Sequence, residues 1–328
     1  MFRKLIWFTV FYTFAVIVVG AYVRLADAGL GCPDWPGCYG ELTPHHAQDD
    51  IARAVEAQGG THGPVSLGKA WKEMFHRYIA GGLGLLILAI TIMAWARRRE
   101  LQQSPLPATG LLALVVLQAA LGMWTVTLLL KPVIVTLHLL GGMATLAWLL
   151  WLALQQNPPA PAMASAPRLR PWALLGLVIV VVQIALGGWV SSNYAALACV
   201  DFPTCHHEWL PAMDFRHGFQ VMRELGMTAA GTHLSYDALT AIHWAHRLGA
   251  LVTLIYVGGL AWALMRSAGL ARYGAVLLVI LIAQVLLGIA NVLAGLPLLV
   301  AAAHNAGGAI LLLTLVVINF ALRPQAYS

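Results

Sequence analysis

Four histidines and one glutamate are the residues of this chain whose types and spacing could do chemistry. Of twelve histidines, His45, His46, His62, His206, His207, His217 and His233 fall in polar stretches, and His243 stands at the entrance of an apolar one. The other four lie inside apolar stretches and repeat in pairs. His76-Arg77 matches His246-Arg247 at an offset of 170 residues. His138 matches His304 at an offset of 166; each is preceded by a glutamine twenty residues earlier (Gln118, Gln284) and followed by x-x-Gly-Gly. A single histidine in a membrane helix is as readily a hydrogen bonder between helices as a ligand. Four in two repeated pairs suit bis-imidazole ligation of haem iron, with the macrocycle in an apolar slot between helices.

Zinc suits these residues less well, because a tetrahedral site wants more ligands at one point and neither HExxH nor CxxC occurs. Gly141-Gly142 and Gly307-Gly308 could admit a flat ring to the backbone or simply let helices pack closely. Arg77 and Arg247 are candidates for haem propionates through bidentate bonds, or for anchoring a helix end by snorkelling. One asymmetry breaks the repeat: three residues before His76 is Glu73, and three before His246 is His243. A carboxyl on the same helix face as a ligand could serve as acid, base or electrostatic stabiliser. Otherwise Glu73 is an interfacial acid beside Lys72.

These residues must be positioned by membrane helices. Of 328 residues, 60% are hydrophobic and 10% charged, where a soluble domain carries roughly 25% charged residues. Eight apolar stretches stand out, at about 5–23, 74–96, 109–130, 133–154, 172–192, 238–265, 272–293 and 297–321. The first is read as a retained span, since Arg24 stands where a signal peptide would carry its small-residue cleavage site. With the N-terminus inside, the inner segments hold Arg3, Lys4, Arg97, Arg98, Arg99, Arg168, Arg170, Arg266, Arg272 and Arg323 against the single acid Glu100. Both termini are then cytoplasmic, and the long loops at about 24–72 and 193–237 are outside. All four histidines fall in the outer leaflet. The net charge of +6 comes with no basic run longer than Arg97-Arg98-Arg99, so nucleic-acid binding is not expected.

The outer loops repeat as well. Cys32-Pro33-Asp34-Trp35-Pro36-Gly37-Cys38 and Cys199-Val200-Asp201-Phe202-Pro203-Thr204-Cys205 are both C-x-D-x-P-x-C, offset by 167. Outside the membrane each pair could close a disulfide, Cys32–Cys38 and Cys199–Cys205, with proline and aspartate favouring the turn. Near-constant offsets across three motifs predict an all-α membrane protein of eight transmembrane helices, arranged as two pseudo-symmetric four-helix bundles. Residues 1–160 form the first half and 172–328 the second, with a proline-rich cytoplasmic linker at 161–171.

The stretch GAYVRLADAGLGCPDWPGCYG, the E-x-x-H-R of Glu73 to Arg77, the second cysteine pair and the four histidines resemble the haem A synthase family over essentially the whole chain. The resemblance implies an oxidoreductase of the cell membrane that converts the C8 methyl group of haem O to the formyl group of haem A, by successive hydroxylations and dehydration of a gem-diol. It implies that His76 and His138 flank the substrate macrocycle, that His246 and His304 ligate a resident haem b, that Glu73 is the catalytic carboxylate, and that Cys32 and Cys38 take part in activity. It implies haem O synthase as a candidate partner and an electron acceptor that the sequence does not name. A homo-oligomer stays open.

Two other classes compete. A di-haem electron-transfer protein, a quinol-linked b-type cytochrome, would use the same four histidines; the lone Glu73 speaks against it. A transporter would carry paired charges near the membrane midplane, and none is seen.

Overall fold

A computed structural model of the chain describes residues 1–60, 62–156 and 167–323. Among these, eight helices are long and apolar enough to cross a membrane. They are α1 (Phe2–Leu25), α2 (Leu67–Ala96), α3 (Leu106–Thr127), α4 (Pro132–Gln155), α5 (Arg170–Ser192), α6 (Tyr236–Met265), α7 (Ala271–Leu293) and α8 (Leu298–Ala321). The chain is thus an all-helical, multi-pass membrane protein. Within each helix the backbone satisfies its own hydrogen bonds, as a bilayer demands. Large apolar side chains such as Phe11, Leu85, Ile92, Ile255 and Val279 point outward, where lipid rather than water meets them. The expected linker at 161–171 falls in good part on residues 161–166, outside the described residues.

Two helices start earlier than their apolar runs. α2 begins at Leu67, capped by the Ser66 hydroxyl, which accepts from the Lys69 N–H at 3.2 Å. α6 begins at Tyr236, capped in the same way by Ser235 on Ala238 at 3.2 Å. A serine N-cap satisfies one of the orphan donors of the first turn and lets polar turns precede the apolar run. His76 and His246 therefore sit about three turns into their helices. At α4, Pro132 takes the first helical position, where its missing N–H costs nothing.

The described residues form two compact units. One holds Met1–Thr145 with Val221–Gly231, the other Leu146–Gln220 with the residues from Thr232 onward. In the first unit α2 packs on α1 and α3. In the second, α6 packs on α5 and α7, and α8 packs on α7 and α5. Asn319 of α8 ties it to α5 by donating to the Ala173 carbonyl at 3.0 Å.

Candidate active site

Each of the four intramembrane histidines lies against a glycine of the preceding long helix. A Cβ on Gly20 would stand 2.7 Å from the His76 ring, on Gly122 3.3 Å from His138, on Gly187 3.1 Å from His246, and on Gly288 3.1 Å from His304. At Gly20 a Cβ would clash with the imidazole, and at the other three glycines the ring would have to give by a few tenths of an ångström. The four glycines repeat as the histidines do, Gly20 with Gly187 at an offset of 167 and Gly122 with Gly288 at 166.

All four imidazoles are half-buried. The Nδ1 atoms of His76, His138 and His304 are buried with no hydrogen-bond partner, whereas Nδ1 of His246 lies 3.1 Å from Nε2 of Gln183. The rings of His246 and His304 stand edge to face with centroids 6.5 Å apart and planes 84° apart. With a metal–imidazole bond of about 2 Å on each side, that spacing is compatible with one ion between the two rings. Buried polar atoms are satisfied by a ligand, an ion or water. Among the described residues, no group of three or more His, Cys, Asp or Glu side chains converges on a metal-sized site. Two protein ligands, with the rest supplied by a macrocycle, is an arrangement that the His246–His304 pair fits.

Beside the histidines stand two disulfide loops built alike. Cys32–Cys38 and Cys199–Cys205 are both closed, and all four cysteines are buried. In the first loop the Asp34 carboxylate accepts from the N–H groups of Tyr39 at 2.6 Å and Gly40 at 2.8 Å. In the second, Asp201 accepts from His206 at 2.8 Å, His207 at 3.0 Å and the Thr204 hydroxyl at 2.6 Å. The Thr204 bond first, then those backbone donors, hold the Asp201 carboxyl well below the usual carboxylate range.

Each loop is clamped to its helix by the arginine after the histidine. Arg77 donates to the carbonyls of Asp34 at 2.8 Å, Pro36 at 3.2 Å and Gly37 at 2.5 Å. Arg247 donates to Thr204 at 2.7 Å, Asp201 at 2.8 Å and Cys199 at 3.1 Å. Both arginines, the candidates for haem propionates, here donate to loop carbonyls. A guanidinium's fixed fork of donors suits several carbonyls of one tight turn.

Glu73 joins the two features. Its Oε2 accepts from the Cys32 N–H at 3.0 Å, and its Oε1 from Arg77 at 2.6 Å, with both side chains largely buried. Gly31 lets the loop come this close: a Cβ there would meet the α2 backbone at Ala70 at 2.6 Å. In the second unit His243 takes the same place. Its Nδ1 lies 3.3 Å from the Cys199 nitrogen and its Nε2 accepts from Arg247 at 3.2 Å. The connectivity is repeated; the carboxylate is not.

Sequence reasoning missed two participants. Arg24 lies one turn beyond Gly20 on the same face of α1, its side chain 15% exposed and 3.7 Å from Asp27. An arginine in the last turn of an apolar span was the available signal. Gln183 was the second; its spacing of four from Gly187 equals that of Gln118 from Gly122 and of Gln284 from Gly288.

Comparison with known proteins places the chain in a family. The model of the cytochrome oxidase assembly protein family matches residues 3–316. A haem A synthase of Shewanella oneidensis is 43% identical over 98% of this chain and 96% of its own length. Haem A synthases of Nitrosospira multiformis and Halalkalibacterium halodurans are 28% and 26% identical, over 95% and 92% of this chain and 90% of each relative. The chain belongs to the haem A synthase family of cytochrome oxidase assembly proteins.

Proposed function

We propose that this chain oxidises the C8 methyl group of haem O to the formyl group of haem A, with the substrate macrocycle between His76 and His138 and a resident haem b between His246 and His304. Glu73 carries this reading, because the carboxylate occurs in one half and a histidine replaces it in the other. The two halves are then related four-helix units of which the first does chemistry. The positive residues at one end of the helices favour cytoplasmic termini, with the cysteine loops on the opposite side.

Each hydroxylation by water places one oxygen on the methyl carbon and releases two electrons and two protons. Dehydration of the gem-diol then leaves the aldehyde. When bound, haem b supplies a one-electron centre through which those electrons can leave toward a partner acceptor. The chain's own residues do the rest. Cys32, Arg77 and the Gly31 N–H occupy three of the roughly four acceptor positions of the Glu73 carboxylate and leave one open. It can therefore orient a water and take its proton. The Cys32–Cys38 bridge fixes the Cys32 N–H on Oε2, so its part in activity is to hold the carboxylate. Arg24, at the loop end of the His76 pocket, offers the charge a propionate needs. Haem O synthase is the reaction class that must supply so apolar a substrate.

Co-expression with a haem O synthase, followed by chromatography of the extracted haems, tests the reading. Haem A beside haem B is expected. Haem B alone would favour the di-haem electron carrier instead.

A further inference from the structure

Three of the four histidine sites share a packing arrangement that the fourth lacks. At three sites a glutamine four residues before the glycine lays its carboxamide on a second glycine, three residues after the histidine. A Cβ on Gly141 would stand 2.7 Å from Cδ of Gln118, on Gly249 3.4 Å from Cδ of Gln183, and on Gly307 3.3 Å from Cδ of Gln284, with the amide ends closer still. Two of these amides reach the backbone of the histidine itself. Gln183 donates to the His246 carbonyl at 3.1 Å, and Gln284 to that of His304 at 2.9 Å. Glutamine and glycine come together for a steric reason: any side chain at the glycine position would occupy the space of the amide.

At the fourth site both members are exchanged together. Val16 stands four residues before Gly20, and Ile79 three after His76. Val16 is buried, Ile79 is half-buried, and His76 Nδ1 has no partner. A carboxamide hydrogen bond thus pins α6 and α8 beside their histidines; at α4 the Gln118 amide packs on Gly141 without a hydrogen-bond partner, and α2 has no carboxamide beside its histidine at all. A polar link inside a membrane protein is directional and resists sliding, whereas valine and isoleucine offer dispersion contacts alone.

We propose that His76 is the exchangeable ligand of the first site, and that the Val16–Ile79 pair makes it so. This rests on the proposed ligation of macrocycles by the four histidines. Substrate and product must enter and leave on every turnover, and a resident haem must not. The two pinned histidines, His246 and His304, suit retention. His138 at least has an amide packed beside it, whereas His76, on the helix that also carries Glu73, has none and suits release on the side where chemistry occurs. Gln183 is then the positioning residue of the resident site. Its Nε2 lies 3.1 Å from both the Nδ1 and the carbonyl oxygen of His246, so one amide fixes ring and backbone together.

The test is transplantation of the glutamine–glycine pair into full-length protein carrying haem O and haem b. Release of each haem to apomyoglobin and carbon monoxide binding after reduction are the readouts. Val16→Gln with Ile79→Gly should slow haem O release roughly 10- to 100-fold and suppress carbon monoxide binding at that site, with haem b unchanged. Gln183→Leu should speed haem b release by a similar factor and open that site to carbon monoxide. If the double variant fails to fold, the Gln183→Leu result decides alone, and a parental haem b release rate there overturns the proposal. Parental haem O release from a folded double variant also overturns it. His76→Ala and His138→Ala report separately on the ligation beneath. Unchanged haem O binding in both overturns that ligation and the proposal with it. Lowered binding in both, with parental release in the double variant, overturns the exchange proposal alone.

Discussion

Glu73 accepts the backbone N–H of Cys32 at 3.0 Å, forty-one residues away in sequence. The carboxylate of α2 and the disulfide loop are therefore one structural unit, and a change to Glu73 can act through chemistry or through the loop. The second half separates the two. His243 makes the equivalent contacts to Cys199 and Arg247 without a carboxylate. Glu73→His should accordingly keep the loop seated and the protein folded, while haem A formation falls roughly 100- to 10,000-fold, the usual cost of removing a positioned acid–base group. Glu73→Gln should lose activity to a similar degree. Chromatography of extracted haems should show haem O accumulating beside normal haem B. Parental haem A yield from both variants would make Glu73 a bystander.

The arginines bear on the loops. Arg247 donates to three carbonyls of one turn, which lysine, a single point of charge, cannot reproduce. Arg247→Lys should therefore expose the 199–208 loop to limited proteolysis and faster hydrogen exchange. The low-spin spectrum of the second half should persist. Loss of that spectrum with an intact, protected loop would return Arg247 to the propionate role.

The histidines, both cysteine loops and the eight spans were legible because each repeats, and a repeat shows in spacing alone. The early starts of α2 and α6 were not, because their first turns are polar and depend on the caps at Ser66 and Ser235. The sequence offers Arg77 and Arg247 either a haem propionate or a helix-end anchor. The structure adds loop carbonyls about forty or more residues distant as acceptors, and the pattern of one helix does not encode those. The same limit hid Gly20, Gly122, Gly187 and Gly288. Each is unremarkable within its own helix and gains its role from the register between helices.

For the proposed resident haem, His246→Ala and His304→Ala should each remove one of two imidazoles whose centroids lie 6.5 Å apart and lower bound haem B in purified protein. A wild-type six-coordinate low-spin spectrum in both variants would show that this pair is not the ligand set.

Asp201 gives the second loop a pH dependence. Its carboxyl is held below its ordinary value by Thr204 first and then by the N–H groups of His207 and His206. A depressed carboxylate contributes its full stabilisation above the unfolded value of about 4 and loses it as the pH falls through the lowered one. The loop should hence keep its hydrogen-exchange protection from neutral pH down to about 4 and lose it only in stronger acid. Asp201→Asn should show reduced protection already at neutral pH, with little further change on acidification. A wild-type loop that opens between pH 7 and 5 would be governed by another group.

Arg24 distinguishes a substrate contact from a helix-end anchor. It stands one turn past the glycine that receives His76, mostly buried and beside Asp27. A merely interfacial arginine snorkels to the headgroups, and its replacement changes little. An arginine that meets a propionate contributes a charge-assisted hydrogen bond, worth about 1.5–3 kcal/mol, or roughly 10- to 100-fold in binding. The matching position in the second half, Ser191, has no charge, so the effect should be confined to the first site. Arg24→Leu should raise the haem O concentration needed for half-maximal haem A formation by that factor, with haem B content and the turnover rate at saturation little changed. Equal loss of both haems would mean a general defect in α1, and Arg24→Lys, which keeps the charge, should then rescue neither. Partial recovery of haem O binding by Arg24→Lys, with haem B constant throughout, is the pattern expected of a propionate contact.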